Sequence, residues 1–261
     1  MLAGAASANP RHLFEHWRSI RARLKRARYV ALFLDFDGTL APLRDRPEEA
    51  ELSTLTRRLL RRLARHPRLT VCIISGRRAA DTRKRAGVRG VCCIGLHGGE
   101  RDGHLRLKPQ TLKVLERARR NLEERLARLE GLWVEDKFAS FVVHYQEARP
   151  KVVRQARALV REVLEPLGSR VRVLHGKKVW EILPEEIKGK GEAVREMLSE
   201  LARPAVPIYV GDDITDESAF AALPRGVTIR VGTPRRTRAR YELRNSEEVQ
   251  VFLERLEAEI S

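Results

Sequence analysis

The sequence predicts an α/β protein in which a parallel-sheet core is interrupted by a smaller inserted α/β module. Short apolar runs alternate with amphipathic helical stretches between Tyr29 and Leu96, the rhythm of parallel strands joined by crossover helices. That rhythm breaks over residues 106–185, where strands come in pairs separated by helices, and it resumes after Pro184. The expected layout is a first core segment, residues 1–105, an α/β cap, residues 106–185, and a second core segment, residues 186–261.

Residues 1–10 read as a disordered lead. From His12 onward Leu13, Phe14, Trp17, Ile20 and Leu24 recur at helical spacing, with Arg18, Arg21, Arg23 and Lys25 between them. Such a helix either docks on the protein's own core or lies on a membrane surface, and docking is the expectation. The run Tyr29–Leu34 is a buried strand ending in Asp35. Leu52, Leu55, Leu59, Leu60 and Leu63 then form a helical stripe, Thr70–Ile74 a strand ending at Ser75, and Val91–Leu96 a third strand. In the insert, residues 109–130 and 152–164 read as helices. Four strands are expected there, at 132–136, 140–145, 171–175 and 179–183. Beyond it come a helix from Gly191 to Leu201, a strand from Pro207 to Val210, a strand from Val227 to Val231 and a closing helix over 246–258.

Composition narrows the function. The 261 residues are 43% hydrophobic and 33% charged, enough apolar material for a packed core, so wholesale disorder is not expected. The net charge is +17, and 42 of the 52 basic residues are arginine. The arginines run from Arg11 to Arg255, and aromatics are only 5%. No zinc-finger, RNA-recognition or basic-heptad pattern accompanies them, so scattered solvated arginine is preferred to a nucleic-acid surface. The excess charge still favours anionic substrates. Cys72, Cys92 and Cys93 lie in apolar runs without a disulfide framework and read as buried thiols in a reducing, cytoplasmic setting. Cys92 and Cys93, being adjacent, should face opposite sides of their strand. No apolar run of spanning length occurs, no signal pattern opens the chain, and neither a nucleic-acid nor a membrane partner is expected.

Polar residues close three core strands: Asp35, Ser75 and Asp212. In an open parallel sheet, ligands bind beyond the carboxyl ends of the strands. Asp35, Asp37, Asp212, Asp213 and Asp216 gathered there would repel one another, and buried carboxylates are costly unless paired or metal-bound. A hard dication offsets that repulsion, and Mg²⁺ is the natural candidate. Singly, each residue also has a plain structural reading. Asp35–Thr39 suits a turn or calcium loop, Ser75 before Gly76 starts a loop, Lys190 suits a solvated surface, and Asp212 and Asp213 suit a helix cap. Together, in this order, they read as an active site.

Asp35-Phe36-Asp37-Gly38-Thr39-Leu40 resembles the first motif of the haloacid dehalogenase superfamily of phosphatases. Ser75 resembles its second, Lys190 its third, and Gly211-Asp212-Asp213 with Asp216 its fourth. Lys188 competes with Lys190, but Lys190-Gly191 matches better. Order and spacing agree over nearly the whole chain, and the insert resembles the superfamily's larger α/β cap. The resemblance implies a haloacid-dehalogenase-like (Rossmann-like) core and Mg²⁺-dependent phosphate hydrolysis through an aspartyl-phosphate. Asp35 is then the nucleophile and Asp37 the general acid and base, with Gly38 permitting the turn that sets Asp37 beside the nucleophile. Ser75 and Lys190 hold the phosphoryl oxygens. Asp212 binds Mg²⁺ with the Asp35 side chain and the Asp37 backbone carbonyl, supported from behind by Asp213 and Asp216.

Within the superfamily the resemblance is strongest to the trehalose-6-phosphate phosphatases. It is carried by Leu40-Ala41-Pro42, Ser75-Gly76-Arg77, Leu96-His97-Gly98-Gly99-Glu100, Gly176-Lys177-Lys178-Val179-Trp180-Glu181, Lys190-Gly191-Glu192-Ala193 and Gly211-Asp212-Asp213-Ile214-Thr215-Asp216-Glu217. It implies substrate contacts from Arg77, Lys137, Gln146, Lys177 and Glu181, where a carboxylate accepts two sugar hydroxyls and lysines donate to others. Ordinary solvated charges are the competing reading for Lys137, Lys177 and Glu181. The family commonly has Arg after the His-aromatic pair, whereas His144-Tyr145 is followed by Gln146; Arg149 lies near enough in sequence to compensate. His97 reads as loop-shaping, since Asp37 already fills the acid/base position. Hinges are expected at Arg106–Pro109 and Pro184–Gly189, letting the cap close and exclude water. The expected protein is a monomer whose partner is a small sugar phosphate. Sucrose-, mannosylglycerate- and glucosylglycerol-phosphate remain alternative substrates, and a noncatalytic nucleic-acid binder is the alternative of another class.

Overall fold

The computed structural model describes residues 10–44, 46–176, 178–233 and 235–260. The expected disordered lead, apart from Pro10, lies outside them. The described residues within Met1–Gly103 and Lys188–Ser261 form one compact unit, and those within His104–Ile187 form a second. In chain order the elements begin with β1 (Arg11–His12), α1 (Trp17–Arg26), β2 (Val30–Leu34), α2 (Thr54–Leu63), β3 (Leu69–Ile74), α3 (Ala79–Ala86), β4 (Cys92–Gly95) and β5 (Glu100–Arg101). The smaller unit holds β6 (His104–Leu105), α4 (Pro109–Leu126), β7 (Trp133–Asp136), β8 (Phe141–His144), α5 (Pro150–Leu164), β9 (Val171–Gly176) and β10 (Val179–Pro184). The larger unit then resumes with α6 (Lys190–Ser199), β11 (Val206–Gly211), α7 (Glu217–Ala222), β12 (Val227–Val231), β13 (Tyr241–Leu243) and α8 (Ser246–Ile260).

The strands of the larger unit follow the order β1-β13-β12-β11-β2-β3-β4-β5. All neighbours pair parallel except β4 and β5. β2 is central and apolar throughout because both its faces are covered. Val30, Leu32 and Leu34 face a cluster with Leu59, Leu60, Phe252 and Leu256 of α2 and α8, while Ala31 and Phe33 face Val194, Met197 and Phe220 of α6 and α7. The helix from Trp17 docks on the protein's own core: Leu13, Ile20 and Leu24 are buried in the first cluster, and Trp17 meets Phe252 edge-on at 6.2 Å. Ser53 caps α2 by accepting the Thr56 amide at 3.0 Å, and Gly87 closes α3 in a left-handed conformation (φ 60°).

Cys93 faces one cluster and Cys92 the other, so the adjacent thiols point apart. Cys92 departs from the expectation of burial and is partly exposed, because β5 pairs with Ile94 and Gly95 of β4 rather than with Cys92. The smaller unit is a four-stranded antiparallel sheet, β7-β8-β10-β9. One face packs α4 and α5: Leu115, Leu122, Phe141, Val143, Ala156, Val160, Trp180 and Ile182 share a core. Proline opens both helices at a position where its missing N–H costs nothing.

Candidate active site

β2 lies where the sheet's direction of winding reverses. From it the chain proceeds to β3 and β4 on one side, while β11, β12 and β13 fill the other, which is where open α/β sheets hold ligands. Asp35 continues β2, its amide donating to the Val210 carbonyl of β11 at 2.9 Å. The chain then turns sharply. The Leu40 and Ala41 amides both donate to the Phe36 carbonyl, and Gly38 sits at φ +74°. A Cβ on Gly38 would lie 2.2 Å from Asp212 Oδ2, so the glycine is needed for its conformation and for the approach of the β11 carboxylate.

Lys190, the first residue of α6, is 2% exposed. Its Nζ donates to Asp35 Oδ1 at 2.8 Å and to Asp216 Oδ1 at 2.7 Å. Burial opposes its charge, but Asp216 and Asp35 outweigh that and hold the ammonium above the usual lysine range. Asp216, fully buried, also accepts from the Tyr209 hydroxyl at 2.7 Å and from the Asp213 amide at 2.8 Å. Asp213 is exposed and completes a reciprocal capping box with Asp216 at the turn Ile214–Asp216.

Asp35, Asp212 and Asp216 present oxygens within 4.8 Å of one another. Burial pushes the Asp35 carboxyl well above the usual range against the pull of Lys190. Burial and then Asp216 raise Asp212 to about 7, while a hydrogen bond with Asp35 acts the other way. One lysine among three carboxylates leaves negative charge uncompensated. An all-oxygen donor set of this kind fits a hard divalent cation such as Mg²⁺. The Asp37 carboxylate takes no part in the cluster and is turned toward Arg77 instead. Nε and Nη2 of Arg77 donate to Asp37 Oδ2 and Oδ1 at 2.7 and 2.6 Å.

Ser75 is buried at the end of β3, where its Oγ accepts the Arg77 amide at 3.1 Å. His97 holds a left-handed conformation (φ 55°), and its amide donates to the Ser75 carbonyl. Its ring lies 2.7 Å from where a Cβ on Gly76 would stand, so His97 shapes the loop after Ser75.

The structure thus gathers Asp35, Lys190, Asp212 and Asp216 into one cluster and joins Asp37 to Arg77. Lys137, Gln146 and Glu181 belong to the smaller unit. Lys137 starts the turn between β7 and β8, its amide donating to Ser140 O at 2.9 Å. Glu181, on β10 opposite Val142, accepts from Ser140 Oγ at 3.1 Å. Gln146 is exposed beyond β8, and its backbone carbonyl accepts from Lys178 Nζ at 3.3 Å. Lys177 lies outside the described residues. Two participants went unread in the sequence. Tyr209 is a hydroxyl inside an apolar strand, a signal for a buried polar partner. Asp81 lies four residues after Arg77, at ion-pair spacing.

The trehalose-phosphatase family model matches residues 33–247. The chain is 36% identical over 246 residues to the trehalose-phosphate phosphatase of Mycobacterium marinum, covering 88% of this chain and 62% of that one. The chain therefore spans less than two thirds of that relative's length. The C-terminal domain of Candida albicans trehalose-6-phosphate phosphatase superposes with a TM-score of 0.80 at 22% identity, covering 97% of this chain and all of that one. A haloacid dehalogenase-like hydrolase from Bacteroides thetaiotaomicron superposes with a TM-score of 0.61 at 16% identity, covering 87% and 99%. At those identities the two structures speak to the fold, which is haloacid-dehalogenase-like.

Proposed function

This chain belongs to the trehalose-phosphatase family, and from that premise we propose that it hydrolyses trehalose 6-phosphate to trehalose and phosphate through an aspartyl-phosphate on Asp35. The observation that carries the reading is the buried Asp35–Lys190–Asp216 array with Asp212 beside it. A structural ion pair does not need a second and third carboxylate beside the same lysine. An Asp35 oxygen attacks phosphorus, and the bond from phosphorus to the sugar oxygen breaks. Asp37 gives its proton to that oxygen, then takes one from the water that attacks the aspartyl-phosphate and frees Asp35. Lys190 and Ser75 hold the phosphoryl oxygens as charge shifts among them. Mg²⁺, held by Asp35, Asp212 and the Asp37 backbone carbonyl, would supply positive charge to the transferring group.

Sugar recognition falls to Lys137, Gln146, Lys177 and Glu181. Gln146, in place of the arginine common in the family, supports a second reading in which another sugar phosphate is preferred. The free state of Cys72, Cys92 and Cys93 supports a reducing, cytoplasmic setting. Among the described residues no helix is long and apolar enough to cross a membrane. Phosphate release from a panel of sugar phosphates, with and without Mg²⁺, tests the proposal. Metal-dependent turnover led by trehalose 6-phosphate is expected. Faster turnover of another sugar phosphate would overturn the specificity, and turnover undiminished by metal removal would overturn the role given to Mg²⁺.

A further inference from the structure

The Arg77 guanidinium is shared by two carboxylates. While Nε and Nη2 grip Asp37, Nη1 donates to Asp81 Oδ2 at 3.1 Å. Asp81 stands in the first turn of α3 and is held from its far side by Arg85, whose Nε donates to Oδ1 at 3.0 Å and Oδ2 at 2.9 Å. Arg85 is tied down in turn, its Nη1 donating to the carbonyls of Glu48 at 2.8 Å and Ala50 at 3.3 Å. A continuous chain of charge-assisted hydrogen bonds thus runs from the 48–50 backbone through Arg85, Asp81 and Arg77 to Asp37. Arg77 itself is largely buried, its guanidinium 5.7 Å from the centre of the Phe36 ring. Forked pairs of this kind fix direction as well as distance.

We propose that Asp81 is a positioning residue for proton transfer: by holding the third arm of the Arg77 guanidinium, it sets the orientation of the Asp37 carboxyl toward the leaving sugar oxygen. The inference rests on the phosphatase reading above. In the step concerned, the phosphorus–oxygen ester bond breaks, the electron pair stays on the sugar oxygen, and the proton moves to it from Asp37. Without Asp81 the guanidinium keeps its grip on Asp37 but loses its anchor, and the pair swings together. The loss falls on the reaction that needs a proton delivered. An aryl phosphate with a nitrophenolate leaving group needs none.

The test compares wild type, Asp81→Asn and Asp81→Glu on trehalose 6-phosphate and p-nitrophenyl phosphate. The readout is kcat/KM, which reports aspartyl-phosphate formation and not the later water step shared by both substrates: for Asp81→Asn it is expected to fall about tenfold or more on the sugar phosphate, while on the aryl phosphate it holds within about twofold. Asp81→Glu should recover part of the loss. In an Arg77→Ala background, Asp81→Asn should cost nothing further. Equal losses on both substrates, no loss on either, or an undiminished cost without Arg77 would each overturn the proposal. If wild type prefers another sugar phosphate, only the substrate assignment fails and the comparison is made on that ester. If wild type hydrolyses no phosphate ester, the phosphatase reading falls and this inference with it.

Discussion

The metal-binding role proposed for Asp212 carries a pH dependence that follows from its burial beside Asp216. Asp212 has its carboxyl raised to about 7 from an ordinary 3.8 by burial and by Asp216. A divalent ion takes the ionised carboxylate, so binding at lower pH must first expel a proton. With a value near 7, about a tenth of the molecules hold Asp212 ionised at pH 6 and about nine-tenths at pH 8. The apparent Mg²⁺ affinity should therefore rise about tenfold between those values, roughly 1.4 kcal/mol. Asp35, raised by burial as well, can only steepen the dependence.

The sign of the stability change runs opposite in the metal-free protein. A carboxyl raised by folding adds stability that is fully present below pH 3.8 and is lost as pH rises through about 7. Mg²⁺ should thus stabilise the protein more at pH 8 than at pH 6. Isothermal titration of metal-stripped protein, in two buffers of different ionisation heat, measures both affinity and proton release. About 0.9 proton should leave per Mg²⁺ at pH 6 and about 0.1 at pH 8. Equal affinities at the two pH values, with no proton released, would refute this account of Asp212.

Asp35→Asn should abolish turnover while leaving the circular-dichroism spectrum and Tm close to wild type, because the amide oxygen still accepts from Lys190 and one buried negative charge is gone. Normal turnover would remove Asp35 as nucleophile. Lys190→Met should cost about 3–5 kcal/mol in urea unfolding, since it strands Asp35 and Asp216 without their buried cation; a change under about 1 kcal/mol would contradict the pairing. Glu181→Ala should raise KM for trehalose 6-phosphate with little change in Tm, and unchanged kinetics would exclude it as a sugar contact. Gly38→Ala, with φ +74° and a Cβ aimed at Asp212, should weaken Mg²⁺ binding in the same titration more than it lowers Tm.

Much of this architecture is legible in the residues. The run Val30–Leu34 announces a central strand because nothing in it tolerates water on either face, and the carboxylate that follows marks its functional end. The expected helix over 109–130 ends at Leu126, because Ala127 and Leu129 close it with a tight turn. The two- and three-residue strands β1, β5 and β13 were not readable, since backbone pairing rather than side-chain pattern defines them. α7 was missed for a related reason: it is six residues long and grows out of the capped turn at Asp213–Asp216. In the site, the motif residues announced themselves by order. The turning of Asp37 away from the carboxylate cluster did not, because it depends on where Arg77 reaches once β2 and β3 lie side by side.

The pairing of Val30 with Val206 has a bearing on how the molecule is made. During synthesis β2 emerges before the insert, and its partner β11 appears only after the whole insert has been translated. Until then the nascent chain presents a five-residue, apolar, unsatisfied strand edge to the ribosome's surroundings, the state in which chains aggregate or recruit chaperones. Within His104–Ile187, by contrast, the sheet β7-β8-β10-β9 draws all its strand pairings from the insert itself, so they can form before β11 is made. Expression should consequently respond more to temperature and chaperone supply than to changes within the insert.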